Sequence, residues 1–444
     1  MKTFWVETFG CQMNKLDTEQ FSGELILHGY APAADQAAAD IILFNTCSVR
    51  EHAEQRVYSR AGTLKHRKAK NPGLIIGILG CMPQQERERI LKVLPHVDIV
   101  CGPDNYKNLP ELIRSVETDG EAVLALRHTK TVAQFDRLAA PRENPWQAYL
   151  LAMKGCDEMC SYCVVPKTRG REVSRPIPEL VEEAKVLVGT GVVEITLLGQ
   201  NITAYGEKDG KELADLVEAV AAVPGLRRLR FVTSHPHHAT RRLFRTMRAL
   251  PNVMPQIHMP AQSGSDRILG LMKRTYTSAE YLDILAMARE ECPGIEFASD
   301  FIVGFPTETE ADFEATAGLA RQIGAGAAFI FQYSPRPGTT ALRDLPDDVP
   351  ADVKARRNHE LLRLQEGIQL EKNRERVGTT VEVLVEGRSD RNAERWTGRA
   401  PDARIVVFEG EGDLAGKFVG VRIVRATALT LYGEPVQAAV AANA

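Results

Sequence analysis

The chain has 444 residues, more than one compact core usually holds, so we expect two to four domains. Its composition, 44% hydrophobic and 25% charged, is that of a globular protein, and no apolar run reaches the roughly 20 residues that cross a bilayer. The first residues lack a signal-peptide layout and the net charge is only −3, so we expect a cytoplasmic protein without a membrane partner, in which any RNA site is a local patch.

The amino-terminal part alternates strand-like and helix-like segments. Short apolar runs rich in β-branched residues predict buried parallel strands at 3–8, 40–44, 74–79 and 97–100. Amphipathic stretches such as 15–28 follow these runs. The alternation predicts a doubly wound parallel α/β domain over residues 1–118.

The same alternation resumes after a linker-like stretch at 120–146. Strands are predicted at 149–154, 194–199, 228–233, 256–259, 296–303 and 327–333. Six strand–helix units predict a partial (β/α)6 barrel rather than an open sheet. We assign residues 142–374 to this core, which ends in a long helical segment at 352–376.

The last part of the chain, residues 375–438, contains the short β-rich runs TVEVLVEG, ARIVVF and KFVGVRIVRAT. They predict a small all-β barrel in the size range of nucleic-acid-binding barrels. One segment combines an aromatic residue, Trp396, with five arginines: Arg388, Arg391, Arg395, Arg399 and Arg404. Arginine for phosphates and an aromatic ring for base stacking predict an RNA surface, with a solvated barrel face as the alternative.

Three cysteines with CxxxCxxC spacing, Cys156, Cys160 and Cys163, follow the first predicted core strand. Eight cysteines in a reducing compartment are unlikely to be disulfides, so clustered ones indicate metal binding or catalysis. Full coordination of a 4Fe–4S cluster normally uses four cysteines, so three thiolates leave one iron open. Zinc is the main alternative, but structural zinc sites usually need a second cysteine pair, which the sequence lacks.

Three other cysteines, Cys11, Cys47 and Cys81, each follow the end of a predicted parallel strand. The carboxyl ends of parallel strands share one sheet edge, where ligands bind, so these thiols are expected to converge on a second cluster. The alternative is three unrelated buried cysteines. Cys101 also ends a strand and is either a fourth ligand or, as we expect, a small buried hydrophobe; Cys292 is expected to be structural.

Eight segments in chain order carry a resemblance to a known family: GCQMNKLDTEQ, NTCSVREHAEQRV, GCMPQQ, GCDEMCSYCVVPKTRGREVSRP, LLGQNITAYG, HMPAQSGSDRIL, DFIVGFPTET and FQYSPRPGT. Together they resemble the methylthiotransferases, radical S-adenosylmethionine (SAM) enzymes, and most closely the branch that acts on isopentenyl-adenosine in tRNA. The resemblance covers essentially the whole chain. It implies an amino-terminal domain with an auxiliary 4Fe–4S cluster, a radical SAM core and a carboxyl-terminal RNA-binding barrel, the TRAM domain.

Matched residue by residue, the resemblance implies that Cys11, Cys47 and Cys81 hold the auxiliary cluster. It likewise assigns the second 4Fe–4S cluster, which binds SAM, to Cys156, Cys160 and Cys163. One SAM would supply a methyl group to sulfur held at the auxiliary cluster. A second would yield the 5′-deoxyadenosyl radical that abstracts hydrogen from carbon 2 of the isopentenyl-adenosine at tRNA position 37. A reductant such as flavodoxin or ferredoxin is implied, and we expect a monomer.

The resemblance also places Tyr162 beside the adenine of SAM. Five further candidates for the SAM pocket stand at predicted carboxyl ends of barrel strands, where barrel active sites lie: Gln200, Asn201, Ser234, Ile302 and Gly304. For each of these the alternative is a packing or turn role. The histidines at 235, 237 and 238 could suggest a metal site, but no carboxylate or cysteine pattern lies nearby in sequence, so we expect a loop that flanks the pocket.

Two other functions remain as alternatives. A sister methylthiotransferase would act on an aspartate of a small-subunit ribosomal protein or on threonylcarbamoyl-adenosine in tRNA. The segments CVVPKTRG and GRAPDARIVVF favour the isopentenyl-adenosine branch. A non-catalytic iron–sulfur carrier that binds RNA is the alternative from another class, and it leaves the six-strand barrel and the open-site triplet without a purpose.

Overall fold

The computed structural model describes residues 1–48, 51–139 and 142–436, with only the backbone at 51–53. The last two residues of the predicted carboxyl-terminal domain, and two residues of the predicted linker, therefore lie outside the described residues. Within the described part of the chain, no helix is both long and apolar enough to cross a membrane.

The amino-terminal domain is built on a six-stranded parallel sheet with the order β2-β1-β3-β4-β5-β6. Its strands are β1 (Thr3–Phe9), β2 (Ala31–Pro32), β3 (Ile41–Thr46), β4 (Ile75–Gly80), β5 (Ile99–Cys101) and β6 (Val123–Ala125). Its helices are α1 (Gln12–Leu27), α2 (Glu51–Thr63), α3 (Lys65–Lys70), α4 (Cys81–Glu86), α5 (Arg89–Val93) and α6 (Leu109–Asp119), with a 3₁₀ helix at Pro103–Asn108. Two separate apolar clusters use alternate residues of the central strands, so both faces of the sheet are covered. This confirms the predicted doubly wound domain.

Two short edge strands, β2 and β6, escaped sequence prediction because two or three residues show no periodicity. Strand β6 lies beyond residue 118, inside the stretch that reads as a linker, and it pairs with β5. The sheet therefore extends further along the chain than its apolar runs indicate.

The core contains six parallel strands in chain order, in two three-stranded sheets joined by a bridge between Leu229 and Val253. The strands are β7 (Gln147–Leu151), β10 (Glu194–Leu198), β11 (Arg228–Val232), β12 (Gln256–His258), β13 (Glu296–Val303) and β14 (Ala327–Gln332). A small antiparallel pair, β8 (Met153–Lys154) and β9 (Val173–Ser174), stands beside them. This is the expected partial barrel.

Most helices of the core lie outside these strands, whereas the short α7 (Val165–Thr168) belongs to the loop at their carboxyl edge. The other helices are α8 (Ile177–Gly189), α9 (Leu213–Ala221), α10 (Arg241–Ala249), α11 (Asp266–Leu271), α12 (Ser278–Glu291), α13 (Glu310–Ile323), α14 (Thr340–Asp344) and α15 (Ala351–Arg374). Short 3₁₀ helices lie at Ile202–Ala204, Glu207–Asp209 and Pro236–His238. Outward-facing strand residues such as Leu197 and Phe231 form one continuous apolar core with α8, α9, α10, α12 and α13.

The carboxyl-terminal domain is a closed five-stranded barrel with the order β15-β16-β17-β19-β18. Its strands are β15 (Thr380–Ser389), β16 (Asn392–Arg399), β17 (Ile405–Glu409), β18 (Phe418–Ala426) and β19 (Thr430–Pro435). The three predicted β-rich runs correspond to β15, β17 and β18. Strand β16, with the sequence NAERWTGR, contributes few apolar residues and was therefore not predicted.

This small barrel docks against the amino-terminal ends of the core strands. Arg228 donates to the carbonyl oxygens of Arg399 (2.8 Å) and Glu382 (2.7 Å). Arg230 donates to the carbonyl oxygens of Ala400 and Pro401, both at 2.9 Å. Since Arg228 is the first residue of β11 and Arg230 pairs with Glu194, the first residue of β10, the barrel sits at the edge of the core opposite the carboxyl ends of its strands.

We expect Arg230→Lys to loosen this docking. A lysine keeps a positive charge opposite Glu194, which Arg230 contacts at 3.1 Å, but it loses the planar fork that reaches both carbonyls. Two lost hydrogen bonds predict a destabilisation of about 1–3 kcal/mol, measurable as a lower urea midpoint and faster proteolytic release of the barrel. The matched control is Arg227→Lys, since Arg227 is 47% exposed, contacts Glu382 at 3.5 Å and lies over the Phe418 ring, and a lysine can keep both contacts. Equal proteolysis of the two variants would contradict this assignment.

Candidate active site

The first cysteine set lies at the carboxyl edge of the amino-terminal sheet. Phe9, Thr46 and Gly80 pair with one another at the same level of three neighbouring strands. Cys47 and Cys81 follow two of these residues directly, and Cys11 follows the third after one glycine. Because neighbouring strands are about 4.8 Å apart, the three thiols are delivered side by side.

Local geometry supports this convergence. Gly80 has a φ of 106°, which a residue with a side chain rarely adopts, and it approaches the backbone of Thr46 closely. Cys11 is exposed, and a hydrogen bond with Cys47 lowers its pKa to about 6, to which the charge of Arg169 contributes. Burial raises the pKa of Cys81, and Arg169 again opposes this.

A buried asparagine pair holds the two loops that carry Cys11 and Cys47. The Asn14 amide donates to Asn45 Oδ1 and to the Thr46 carbonyl oxygen, both at 3.2 Å. The Asn45 amide donates back to the Asn14 carbonyl oxygen at 2.8 Å. Sequence reasoning missed this pair, although an asparagine inside the apolar run IILFNT was the available signal.

The other two cysteines lie in apolar cores. Cys101 is fully buried among apolar residues, and burial raises its pKa. Cys292 is buried in the main core cluster next to α12. Both surroundings are those of small hydrophobes.

The CxxxCxxC triplet lies in the loop that follows β8, at the carboxyl edge of the core strands. Cys156 is buried, whereas Cys160 and Cys163 are half-buried. Burial raises the pKa of Cys156 and of Cys163 to about 12 each, and the neighbouring thiols add to the effect. Cys160 Sγ accepts a hydrogen bond from Arg274 Nη1 at 3.3 Å. Sequence reasoning missed Arg274, which is 114 residues away along the chain.

Three of the predicted SAM-pocket residues follow the carboxyl ends of β10 and β11, which lie in the same sheet as β7. Gln200 Oε1 accepts a hydrogen bond from the backbone N–H of Gly155, directly before Cys156. Each of the three has a buried side-chain atom without a hydrogen-bond partner within the described part of the chain, and these are Gln200 Nε2, Asn201 Nδ2 and Ser234 Oγ. Buried polar atoms are mostly paired, so three such atoms at the ends of two neighbouring strands fit the binding of a polar ligand.

The remaining predicted pocket residues also take part in packing inside the core. Tyr162 and Ile302 both pack at the edge of an apolar cluster that includes Phe305 and Tyr333. Gly304 has a φ of 69° and leaves no room for a side chain beside Lys354 of α15. Its glycine is therefore required by helix packing, whatever ligand the loop contacts.

The histidine loop does lie beside carboxylates, contrary to the sequence-based expectation. Both ring nitrogens of His238 contact acidic side chains, Glu158 at 2.7 Å and Glu207 at 2.5 Å. His235 Nδ1 accepts the backbone N–H of His237 at 3.3 Å, which places the ring hydrogen of neutral His235 on Nε2. Both ring nitrogens of His238 and Nδ1 of His235 are thus engaged, whereas His235 Nε2 lies 3.8 Å from Glu158 and has no hydrogen-bond partner among the described residues. The loop holds Glu158 of the cysteine loop in place through His238.

Arg169 joins the two cysteine sets. It follows α7, six residues after Cys163, and its Nε donates to Cys81 Sγ at 3.2 Å. Its two terminal nitrogens donate to the carboxylate of Asp17 at 3.1 and 2.5 Å, and both side chains are buried. This bidentate pair fastens the amino-terminal domain to the core next to both sets of thiols.

Helix α1 closes the contact between the two domains. Met13 and Leu16 of this helix pack against Leu151, Leu198 and Val232, the last residues of β7, β10 and β11. The amino-terminal domain therefore covers the carboxyl edge of half of the core barrel. As a result, the two cysteine sets face each other across the domain boundary.

The predicted RNA surface on the small barrel is wrong in part. Trp396 is only 4% exposed, belongs to the barrel core, and donates from Nε1 to the Gly410 carbonyl oxygen at 3.1 Å, so it cannot stack on a base. Arg404 is buried in the docking contact, where it reaches Glu296 at 3.3 Å. Arg388 and Arg391 remain exposed. An arginine within a β-strand points into an interface or into solvent according to register, which composition does not reveal.

Three parts of the chain match known families. Residues 3–102 match the uncharacterized protein family UPF0004, residues 150–320 match the radical SAM superfamily, and residues 374–436 match the TRAM domain. Similar solved structures include the radical S-adenosylmethionine methyltransferase TsrM from Kitasatospora setae (TM-score 0.54, 13% identity, 77% of each chain). The cobalamin-dependent radical enzyme OxsB has a TM-score of 0.53 at 14% identity and covers 83% of this chain and 56% of its own. At these identities the structures establish the fold alone.

Curated relatives are similar along nearly the whole chain. The tRNA-2-methylthio-N(6)-dimethylallyladenosine synthase of Rhodopirellula baltica is 43% identical over 98% of this chain and 95% of its own. The enzymes of that name from Chloroherpeton thalassium (44%; 97% and 95%) and Neisseria gonorrhoeae (43%; 99% and 100%) are equally similar. The radical SAM core implies a 4Fe–4S cluster and SAM as cofactors. The chain therefore belongs to the tRNA-2-methylthio-N(6)-dimethylallyladenosine synthase family of radical SAM enzymes.

Proposed function

We propose that this enzyme adds a methylthio group to carbon 2 of N6-isopentenyl-adenosine at position 37 of tRNA, next to the anticodon. The observation that carries the proposal is the pairing of two three-cysteine sets on facing edges of two domains, joined by Arg169. The names of the full-length relatives support the same substrate.

The donor chemistry of both sets fits 4Fe–4S clusters. Each set offers three thiols, and in each set one thiol accepts a hydrogen bond from an arginine, as cluster sulfurs commonly do. We infer that Cys11, Cys47 and Cys81 would hold the auxiliary cluster, and that Cys156, Cys160 and Cys163 would hold the cluster that binds SAM. When bound, these groups supply the radical and the sulfur chemistry that an unactivated aromatic C–H bond requires and that acid–base side chains cannot supply.

The protein's own contribution is binding and orientation. Gln200, Asn201 and Ser234 offer unpaired polar atoms to SAM, while Tyr162, Ile302 and Gly304 complete the predicted pocket. Helix α1 excludes water from the carboxyl edge of β7, β10 and β11. We assign the three tasks to residues 1–118 (auxiliary cluster), 142–374 (radical chemistry) and 375–438 (RNA binding). The partners would be tRNA and a one-electron donor such as flavodoxin or ferredoxin, and the working form a monomer.

Nucleoside analysis tests this function directly. Deleting the gene should remove 2-methylthio-isopentenyl-adenosine from total tRNA and leave isopentenyl-adenosine in its place, as read by mass spectrometry. Expression of the wild-type gene should restore the product. Normal product levels in the deletion strain would contradict the proposal. Loss of the methylthio group from a ribosomal-protein aspartate, or from threonylcarbamoyl-adenosine in tRNA, would favour a sister activity.

A separate assay addresses the non-catalytic carrier. The reconstituted enzyme with a strong reductant should convert SAM to 5′-deoxyadenosine, which a carrier would not do. Iron and sulfide should each be present at about eight per chain, because two 4Fe–4S clusters are expected. About four of each would contradict the second cluster while leaving the radical reaction intact.

A further inference from the structure

Each cysteine set contains one thiol that accepts a hydrogen bond from an arginine. Arg169 Nε donates to Cys81 Sγ at 3.2 Å, and Arg274 Nη1 donates to Cys160 Sγ at 3.3 Å. The type of donor and the distance are nearly the same at the two sets. One electrostatic difference between the two sets therefore lies in what else surrounds the two guanidinium groups.

The two arginines differ in their counter-ions. Arg169 is neutralised by a bidentate ion pair with buried Asp17. Arg274 instead bonds the neutral Tyr276 hydroxyl (2.9 Å) and the Pro260 carbonyl oxygen (3.4 Å), and within the described ranges it forms no ion pair.

One acidic group of the same loop, Glu158, acts electrostatically on Arg274. Glu158 is itself bound by His238 at 2.7 Å, and His238 lies between two carboxylates, as a protonated imidazole would. Glu158 is therefore engaged by His238 and forms no ion pair with Arg274. Arg274 remains a positive charge without a carboxylate of its own beside the triplet.

Charge balance decides how easily a cluster accepts an electron. A 4Fe–4S cluster on three thiolates carries a net charge of about −1 and becomes about −2 on reduction, so a nearby cation stabilises the reduced form. An arginine whose charge is neutralised by a carboxylate stabilises the reduced cluster much less. Each reduction takes one electron from the added donor and breaks no bond.

We propose that Arg274 raises the reduction potential of the triplet cluster above that of the auxiliary cluster, so that a single electron from the donor enters the cluster that binds SAM. The inference rests on the proposed function, because it requires both cysteine sets to hold clusters. Arg274 acts here as a positioning residue, because its positive charge works through the cluster and does not touch the reacting atoms. At the auxiliary site, Asp17 has the opposite effect because it neutralises Arg169.

The test is a redox titration of the reconstituted full-length enzyme without SAM, followed by electron paramagnetic resonance. Two triple variants isolate the clusters, Cys11→Ala/Cys47→Ala/Cys81→Ala for the triplet cluster and Cys156→Ala/Cys160→Ala/Cys163→Ala for the auxiliary one. The isolated triplet cluster should be reduced at the higher potential. Adding Arg274→Gln should make its reduction at least ~10-fold less favourable, a shift of about 59 mV for one electron, while Arg274→Lys should retain most of the wild-type value.

Unchanged potential in Arg274→Gln, or an equal shift in Arg274→Lys, would overturn the proposal. If Arg274→Gln does not assemble its cluster, Asp17→Asn in the auxiliary-only variant decides, since removing that carboxylate should raise the auxiliary potential by a similar amount. A constant auxiliary potential in that variant would also overturn the proposal. Iron and sulfide content, measured on the same samples, separates these outcomes from failure of the two-cluster assignment.

Discussion

Replacing Cys81 with alanine will leave reductive cleavage of SAM intact and abolish methylthio transfer. Cys81 lies in the amino-terminal set, at the first residue of α4, whereas the triplet that would bind SAM belongs to the core. Loss of an outer-shell partner of a metal site typically costs 10–100-fold in activity, so loss of a ligand should reduce product by more than ~100-fold. Mass spectrometry of tRNA nucleosides and chromatography of 5′-deoxyadenosine measure the two activities separately.

Cys101→Ala is the matched control for this experiment. Cys101 also ends a strand of the same sheet, but it is buried in the apolar core. This variant should keep both activities and about eight irons per chain, whereas Cys81→Ala should hold fewer than about eight, because only two thiols remain for the auxiliary cluster. Full methylthio transfer by Cys81→Ala, or loss of 5′-deoxyadenosine formation along with it, would contradict the division of labour between the two sets.

Arg357→Met is expected to destabilise the core by about 3–5 kcal/mol, because it leaves a buried carboxylate without its partner. Arg357 of α15 contacts Glu308 at 2.8 Å, and the side chains are 5% and 1% exposed. Glu308 also accepts the backbone N–H of Gly304 at 2.8 Å, so the same pair holds the loop at the end of β13. Urea unfolding followed by circular dichroism measures the loss.

The effect should depend on pH. Burial raises the pKa of Glu308, and Arg357 opposes the rise. A carboxyl group with a raised pKa loses folded-state stability as pH rises above its unfolded value, so the damage by Arg357→Met should be smaller near ~pH 5 than near ~pH 8. The neighbouring Arg356 is exposed and, among the residues that the structure describes, pairs only with exposed Glu310 and Glu360, so Arg356→Met should unfold like the wild type. Equal midpoints for the two variants would refute the role of the buried pair.

Local sequence signals were sufficient to predict the architecture and to single out the six cysteines. The apolar runs predicted where the strands end. A thiol after each of three strand ends must lie at one edge of the sheet once the strands are parallel. The CxxxCxxC spacing needs only one loop to bring its thiols together. Both inferences depend on residues close in sequence or on one rule of sheet geometry.

The groups that tune and join the site were not predictable in the same way. Arg169 contacts Asp17, which is 152 residues away in sequence, and Arg274 contacts Cys160, which is 114 residues away. No local sequence pattern therefore predicts either contact. Glu158 was overlooked as a neighbour of His238 for the same reason, since 80 residues separate them. Trp396 was misjudged because the charged residues of β16 hide an alternation whose inward positions belong to the barrel core.

The short stretch from Cys163 to Arg169 has a consequence for substrate turnover. One end supplies a thiol of the triplet and the other donates to Cys81, with the helical turn of α7 between them. Such a segment works as a spacer of fixed length that sets the separation of the two thiol sets from within one loop. Under the proposed function, tRNA binding energy would not be needed to bring the two sets together and would remain available for orienting a single nucleobase.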